Sequence, residues 1–411
     1  MKKVLFITYH FPPIAGGGVF RSLHFVKYLP QFGWQPTVLT VDTKLSWAFD
    51  KKLLNEIPQS VKVIRVKQFE WFYFHIIFSK LHIPELYEFI KEKFLSPDSK
   101  IGWYKSALKK AQKELKLEKY DMIFSTSPTI VSHMIALKLS EEYEIPWTAD
   151  FRDFWRLHKN YNFHGTNRGQ KEEILEEKII KNCTNLIVVS DGMKKSFNEK
   201  YTTITNNKIN VITNGFDREF LKKNNITNTF QITYTGSFYG EYNPKIFIES
   251  MQKIIENNPE FAEKVIVKFI GNISDEIKTN IKTKLPNHSE FSSFMNPNDI
   301  KLHIENSTIL FLFLPNDSHY QSYIPAKLFD YMTYSKPVLA IIPKGDCYDI
   351  LSKSGLGYFP YEYSEKAISE KLLEMFEMWK NDALTITPNL KYIKQFHREK
   401  LTKKLVEVFE S

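Results

Sequence analysis

In the segment Tyr323-Ile-Pro-Ala-Lys-Leu-Phe-Asp-Tyr-Met-Thr-Tyr-Ser-Lys-Pro-Val-Leu-Ala340, Lys327 and Asp330 stand three residues apart, which puts them on one face of a helix. Leu328, Phe329 and Met332 give that helix an apolar face. Pro325 suits its first turn, and Ser335-Lys336-Pro337 ends it before the apolar strand Val338–Ile342. A lysine in a first helical turn opposes the helix dipole. It is accounted for if an anion sits beside it, and an acid one turn later can then accept hydrogen bonds from sugar hydroxyls. The same spacing also fits a solvated lysine and a surface aspartate, so the segment alone leaves both readings open.

Two further constellations carry charge or glycine where chemistry needs them. The run His10-Phe-Pro-Pro-Ile-Ala-Gly-Gly-Gly18 follows the strand Val4–Ile7 and precedes Val19, Leu23, Val26 and Leu29 on one helical face. Strand, glycine loop and helix N-terminus together take phosphate, because glycines let backbone N–H groups approach an anion. Gly17 and Gly18 equally fit a flexible connection, and the dinucleotide fingerprint is absent. Arg21, one turn in, offers phosphate a charged donor. In Trp147-Thr-Ala-Asp150-Phe-Arg152-Asp153, three charges fall at a strand end. Charges there are costly unless they pair or face a cleft, and in open α/β sheets that end is where ligands bind. The alternative is an internal Arg–Asp pair that only shapes the loop. His133 sits in a helical pattern and reads as structural.

The elements that must position these residues alternate strand and helix twice. Short apolar runs at Val4–Ile7, Pro36–Thr40, Val61–Arg65, Met122–Ser125, Trp147–Asp150, Leu186–Ser190 and Asn210–Thr213 read as strands, with helices between. After the polar stretch Lys222–Thr229 the pattern restarts with Gln231–Thr235, Val265–Ile270, Ile309–Leu314 and Val338–Ile342, then helices over 366–379 and about 390–409. This is α/β: two doubly wound, Rossmann-like domains facing across a cleft. The expected division is 1–220, 221–388 and a C-terminal helical segment 389–411 that packs back on the first domain.

Composition narrows the partners. Of 411 residues, 43% are hydrophobic and 25% charged, as in ordinary globular proteins, while aromatics reach 15%. The net charge of +9 favours an anionic partner. The lysines are scattered rather than gathered into a stripe with stacking aromatics, which argues against nucleic acid. Cys183 and Cys347 are the two cysteines and no metal-ligand cluster surrounds them, so a reducing, cytoplasmic setting is expected and no metal. The opening residues do not have a signal-peptide pattern, and no apolar run approaches the roughly 18 residues that span a bilayer. The aromatic and lysine-rich stretch at about 69–95 fits either a packed helical insertion or a segment lying on an anionic membrane surface.

The order of short motifs resembles family 4 type glycosyltransferases of the GT-B fold, from surface-polysaccharide pathways. Those motifs are Tyr9–Gly18 with Arg21, Phe32-Gly-Trp34, Ser125-Thr-Ser-Pro128, Asp150-Phe-Arg-Asp153, Asn214-Gly-Phe-Asp217, Tyr234-Thr-Gly-Ser237 and Pro325-Ala-Lys-Leu-Phe-Asp-Tyr331. They span nearly the whole chain, and their order and spacing are more specific than any one of them.

The resemblance implies a hexosyltransferase-type enzyme, retaining and metal-independent, with no cofactor beyond a nucleotide-diphospho-sugar co-substrate. It implies that the C-terminal domain holds this donor. Asp330 takes the place of the second acid of the family's E-x7-E motif, against the ribose, and Lys327 lies near the diphosphate. Gly236 and Ser237 form the first loop under the donor, and Gly271 a loop near the base. Gly17 and Gly18 close over the phosphates. Asp150, Arg152 and Asp153 stand where relatives keep catalytic or acceptor-contacting residues. The expected mechanism has Lys327 and Arg21 stabilising the departing diphosphate. Asp150 or Asp153 orients or deprotonates an acceptor hydroxyl, with Arg152 fixing the carboxylates. The acceptor implied is a glycan or a lipid-linked acceptor, and the basic charge and the aromatic stretch motivate its place at the inner membrane face. Two departures stand out: Ser322 occupies the place of the motif's first acid, and no basic residue follows the Gly236-Ser237 loop before Lys245. A nucleotide-sugar epimerase or hydrolase on the same fold, and an inactive nucleotide-sugar-binding protein, are the competing readings.

Overall fold

The computed structural model describes residues 1–42, 48–69, 95–202, 208–220, 228–293 and 297–411. Most of the aromatic stretch expected at 69–95 and most of the polar stretch 222–229 lie outside the described residues. The chain divides into two compact units, Met1–Asn214 with Arg398–Ser411, and Gly215–His397.

The first unit carries seven parallel strands in the order β3-β2-β1-β4-β5-β6-β7. These are β1 (Lys2–Thr8), β2 (Trp34–Asp42), β3 (Lys62–Lys67), β4 (Met122–Thr126), β5 (Trp147–Phe151), β6 (Asn185–Val188) and β7 (Ile209–Val211). Val4, Leu5, Phe6 and Ile7 are all fully buried, as a strand covered on both faces requires. The sheet order reverses between β1 and β4, and the register sets Thr8 beside Thr126 and Thr126 beside Asp150 at that end. Helix α1 (Gly17–Tyr28) descends from this edge. The final helix, Arg398–Glu410, belongs to the same core, where Phe409 packs edge-on to Trp34 with ring centroids 5.0 Å apart.

The second unit repeats the topology with six parallel strands in the order β10-β9-β8-β11-β12-β13. They are β8 (Phe230–Thr235), β9 (Val265–Ile270), β10 (Ser289–Ser292), β11 (Ile309–Phe313), β12 (Val338–Ile341) and β13 (Gly357–Tyr358). The reversal falls between β8 and β11. Both units are therefore doubly wound Rossmann-like sheets, as the alternation predicts.

The unit boundaries differ from 220/221 and 388/389 for a local reason. Carbonyls 212 and 213 are hydrogen-bonded by Arg21 of the first unit, whereas the Phe216 N–H donates to the Phe396 carbonyl in the second. The expected continuous helix 390–409 is broken: Leu390–Ile393 and a 3-10 turn Lys394–Phe396 stay with the second unit, and extended His397 (φ −64, ψ 134) separates them from the last helix.

Candidate functional site

In the second unit the sequence-predicted residues converge at the C-terminal ends of β8 and β9. Gly236 has φ +130 and Gly271 φ +136, conformations that only glycine adopts without strain. The two loops stack: a Cβ on Gly271 would sit 2.1 Å from the Gly236 carbonyl oxygen, and one on Gly236 would sit 2.6 Å from Lys327 Nζ. Gly271→Ala is therefore expected to force the first loop away from Lys327. It should lower the melting temperature and abolish ligand-induced stabilisation together, which a thermal melt with and without nucleotide reads directly.

Lys327 opens the short helix Lys327–Thr333. Its Nζ lies 3.7 Å from the Tyr234 ring centroid and 5.9 Å from that of Tyr242. Tyr234 is itself stacked on Phe238 at 3.9 Å, and its hydroxyl donates to the Ser237 carbonyl at 3.0 Å. Tyr331 supports the wall by accepting the Thr235 N–H at 3.0 Å. Half-buried and without an ion pair among the described residues, the ammonium is pushed down to about 7 by desolvation, with only the buried Cys347 opposing. Asp330 turns to a different partner, Arg218, whose Nε lies 3.7 Å from Oδ1 and whose Nη1 donates to Tyr334 Oη at 2.6 Å. Ser322 ends a 3-10 turn that begins beside the Asp317–His319 pair, 2.9 Å apart.

In the first unit Gly17 and Gly18 open α1 as expected, but Arg21 and Asp150 are spent on each other. Arg21 Nε and Nη2 donate to Asp150 Oδ2 and Oδ1 at 3.0 and 2.7 Å, and Thr126 Oγ1 donates to Oδ2 at 2.7 Å. Arg21 also donates to the carbonyls of Thr213 and Ile212 at 2.7 and 2.9 Å. Both side chains are essentially inaccessible, at 1% and 0%. This corrects two expectations. Arg21, with its fork filled and its surface buried, is not presented to a diphosphate, and the residue that fixes Asp150 is Arg21 rather than Arg152. Arg152 instead donates through Nε and Nη1 to the carbonyls of Ser127 and Gly18. Asp153 alone of the three is exposed.

Sequence reasoning missed Arg218, Tyr234 and Tyr242 as parts of the second-unit site and His10 and Lys100 as neighbours of Arg152. Arg218 lies directly after the quoted Asn214–Asp217 motif, and His10 lies inside another. Those positions were the available signals. Cys183 and Cys347 are both buried thiols. No helix among the described residues is long and apolar enough to cross a membrane.

Residues 15–220 match the family model described as Glycosyltransferase Family 4, and residues 216–389 match that described as Glycosyl transferases group 1. No curated protein matches the sequence. Among solved structures, TarM is similar with a TM-score of 0.66 at 13% identity, over 100% of this chain and 99% of that one. WaaG, a glycosyltransferase involved in lipopolysaccharide biosynthesis, gives 0.60 at 13% identity over 99% of each chain. The UDP-GlcNAc 2-epimerase from Neisseria meningitidis bound to UDP-GlcNAc gives 0.54 at 12% identity over 99% of each. At these identities the likenesses establish the fold, which is GT-B.

Proposed function

The chain belongs to Glycosyltransferase Family 4, and from that premise we propose that it moves a sugar from a nucleotide-diphospho-sugar to a glycan or lipid-linked acceptor in cell-surface polysaccharide synthesis. The observation that carries the donor half of this reading is Lys327, a half-buried cation at the strand ends of the second unit with aromatic rings, not carboxylates, around it. A diphosphate restores full charge to such an ammonium, and the ammonium in turn stabilises the diphosphate as it departs. Gly236, Ser237 and Gly271 give the donor a backbone floor. Asp330, steadied by Arg218, accepts from the ribose hydroxyls. In the first unit Asp153 is the exposed carboxylate that orients the acceptor hydroxyl, with Asp150 and Arg21 as the frame behind it. Positive charge comes from the protein, so the reading needs no metal, and it takes retention of anomeric configuration as the outcome. A lipid-linked acceptor would be met at the inner membrane face, and the net charge of +9 supports that reading.

A melting screen against nucleoside diphosphates and nucleotide-sugars tests this. One base is expected to stabilise the protein by about 2.7 kcal/mol at a hundredfold excess over Kd, with a further increment from the correct sugar. No stabilisation by any nucleotide would remove the donor site. Incubation of the stabilising nucleotide-sugar without acceptor then separates the chemistries: an unchanged donor supports transfer, and conversion to an epimer or rapid hydrolysis supports the epimerase or hydrolase reading.

A further inference from the structure

We propose that His10, Lys100 and Arg152 form a subsite in the first unit for a phosphate-type oxyanion carried by the acceptor. This rests on the glycosyl-transfer reading above and adds the acceptor's chemical class. His10 and Arg152 closely follow β1 and β5, near where the sheet order reverses and open α/β sheets take their ligands, and Lys100 rests on the Tyr9 ring next to His10. Arg152 is 8% exposed. Two of its nitrogens are bound to the carbonyls of Ser127 and Gly18, which fixes the guanidinium plane and leaves Nη2 over Gly18, 3.6 Å from where a Cβ would stand. The His10 ring flanks the same point at 4.0 Å. It meets Tyr9 edge-on at 5.1 Å, and Lys100 Nζ lies 5.4 Å from the Tyr9 ring on which it rests.

Among the described residues, the side chains of His10 and Lys100 and the Nη2 of Arg152 have no hydrogen bond or ion pair. The local carboxylates act on these cations only through space, Asp150 and Asp153 on Arg152 and Asp98 on Lys100. Asp150 is held by Arg21 and Thr126, Asp98 accepts the N–H groups of Lys100 and Ile130 at 2.8 and 3.0 Å, and Asp153 is exposed. A fixed, desolvated guanidinium with no hydrogen-bonded anion is costly. An oxyanion bonded to it removes that cost, with Lys100 as a second cation beside the Tyr9–His10 pair. Nη2, Nζ and an imidazole nitrogen, carried on three separate segments, are the donor types that suit a phosphate. In keeping with this positive surrounding, His10 is pushed down to about 4, by burial first and then by Arg152 and Lys100. It therefore contributes a neutral ring at pH 7.

Inorganic phosphate is the probe. The His10 ring resonances, assigned with the His10→Gln variant, are followed by NMR at pH 7 during a phosphate titration. The titration is run with and without saturating UDP, or whichever of ADP, GDP, CDP and dTDP stabilises the protein. The expected result is a saturable shift of His10 that persists with nucleotide bound, weakens about tenfold in Lys100→Gln, and disappears in Arg152→Gln. Lys100→Gln keeps the test valid should the arginine variant fail to fold, because among the described residues the Lys100 side chain makes no hydrogen bond or ion pair. No phosphate-dependent shift of His10 overturns the proposal. So does a nucleotide that itself shifts His10 and excludes phosphate, which would assign the anion to the donor diphosphate. Failure of every nucleotide to stabilise the protein would count against the transfer reading instead, and the phosphate titration without nucleotide is scored independently of it.

Discussion

Lys327→Met is expected to lower turnover by about two to three orders of magnitude and, at pH 7, to raise the melting temperature rather than lower it. The two effects have one origin. Burial against Tyr234 and Tyr242 pushes the ammonium down to about 7 from 10.5 in the unfolded chain. Between these values the unfolded chain binds more protons, so stability climbs as pH rises through that window, and the cost of the buried charge is fully present below it. Methionine keeps much of the side-chain volume without the charge. The variant should therefore gain stability at pH 7 and lose that advantage as the pH approaches 10.5. On the proposed mechanism turnover should fall because the departing diphosphate loses the Lys327 cation. Kinetics at saturating donor, with melts at several pH values, read both effects. Unchanged turnover would remove Lys327 from the mechanism, and a collapsed melting temperature would show a packing role instead.

A pH profile of donor affinity follows from the same group. The diphosphate of an intact nucleotide-sugar has no proton to lose near neutrality, so its affinity for the wild-type protein should decline as pH rises above about 7 and Lys327 deprotonates. In Lys327→Met the same profile should be flat, because the titrating group is gone. Isothermal titration across pH 6 to 9 distinguishes the two.

What was legible in the chain follows from how each part is held. Strands buried on both faces read as unbroken apolar runs, so β1 and β11 were evident. The helix Asn167–Asn182 was not, because its buried face carries Glu172 and Glu176 where an apolar stripe is sought. Tyr161 and Arg168 hold the first, and Lys200 and Tyr201 the second. The edge strand Ser289–Ser292 is only partly buried and gives no alternation. Gly236, Gly271 and Lys327 were readable because each lies at a strand end or helix start that local patterning marks. Arg218 beside Asp330, and Lys100 near His10, come together only through tertiary structure, which local spacing does not encode. Asp150 was found as a residue, and its partner, Arg21, was not. A charge at a strand end announces a constraint, and the fold alone decides whether a ligand or another side chain satisfies it.

That distinction is measurable at Arg21 and Asp150. Replacing either partner singly, as Asp150→Asn or Arg21→Met, is expected to cost about 3–5 kcal/mol, because the other charge stays buried without compensation. Arg21→Met also strips donors from the carbonyls of Ile212 and Thr213, which tie the end of the first unit to its sheet. The double variant Arg21→Met with Asp150→Leu should recover part of the loss seen in Arg21→Met and Asp150→Leu alone, since two apolar side chains leave no unpaired charge, and the non-additivity across those three variants measures the coupling. Below its melting transition Asp150→Asn should keep turnover within about tenfold of wild type, whereas loss of a proton-transferring carboxylate typically costs 10²–10⁴-fold. Asp153→Asn supplies the contrast: exposed, it should leave the melting temperature unchanged and lower turnover by about a hundredfold if it is the group that orients the acceptor. An Asp150→Asn protein that melts like wild type and is inactive would reverse these assignments, making the buried carboxylate the working one and its pairing with Arg21 the device that holds it ready.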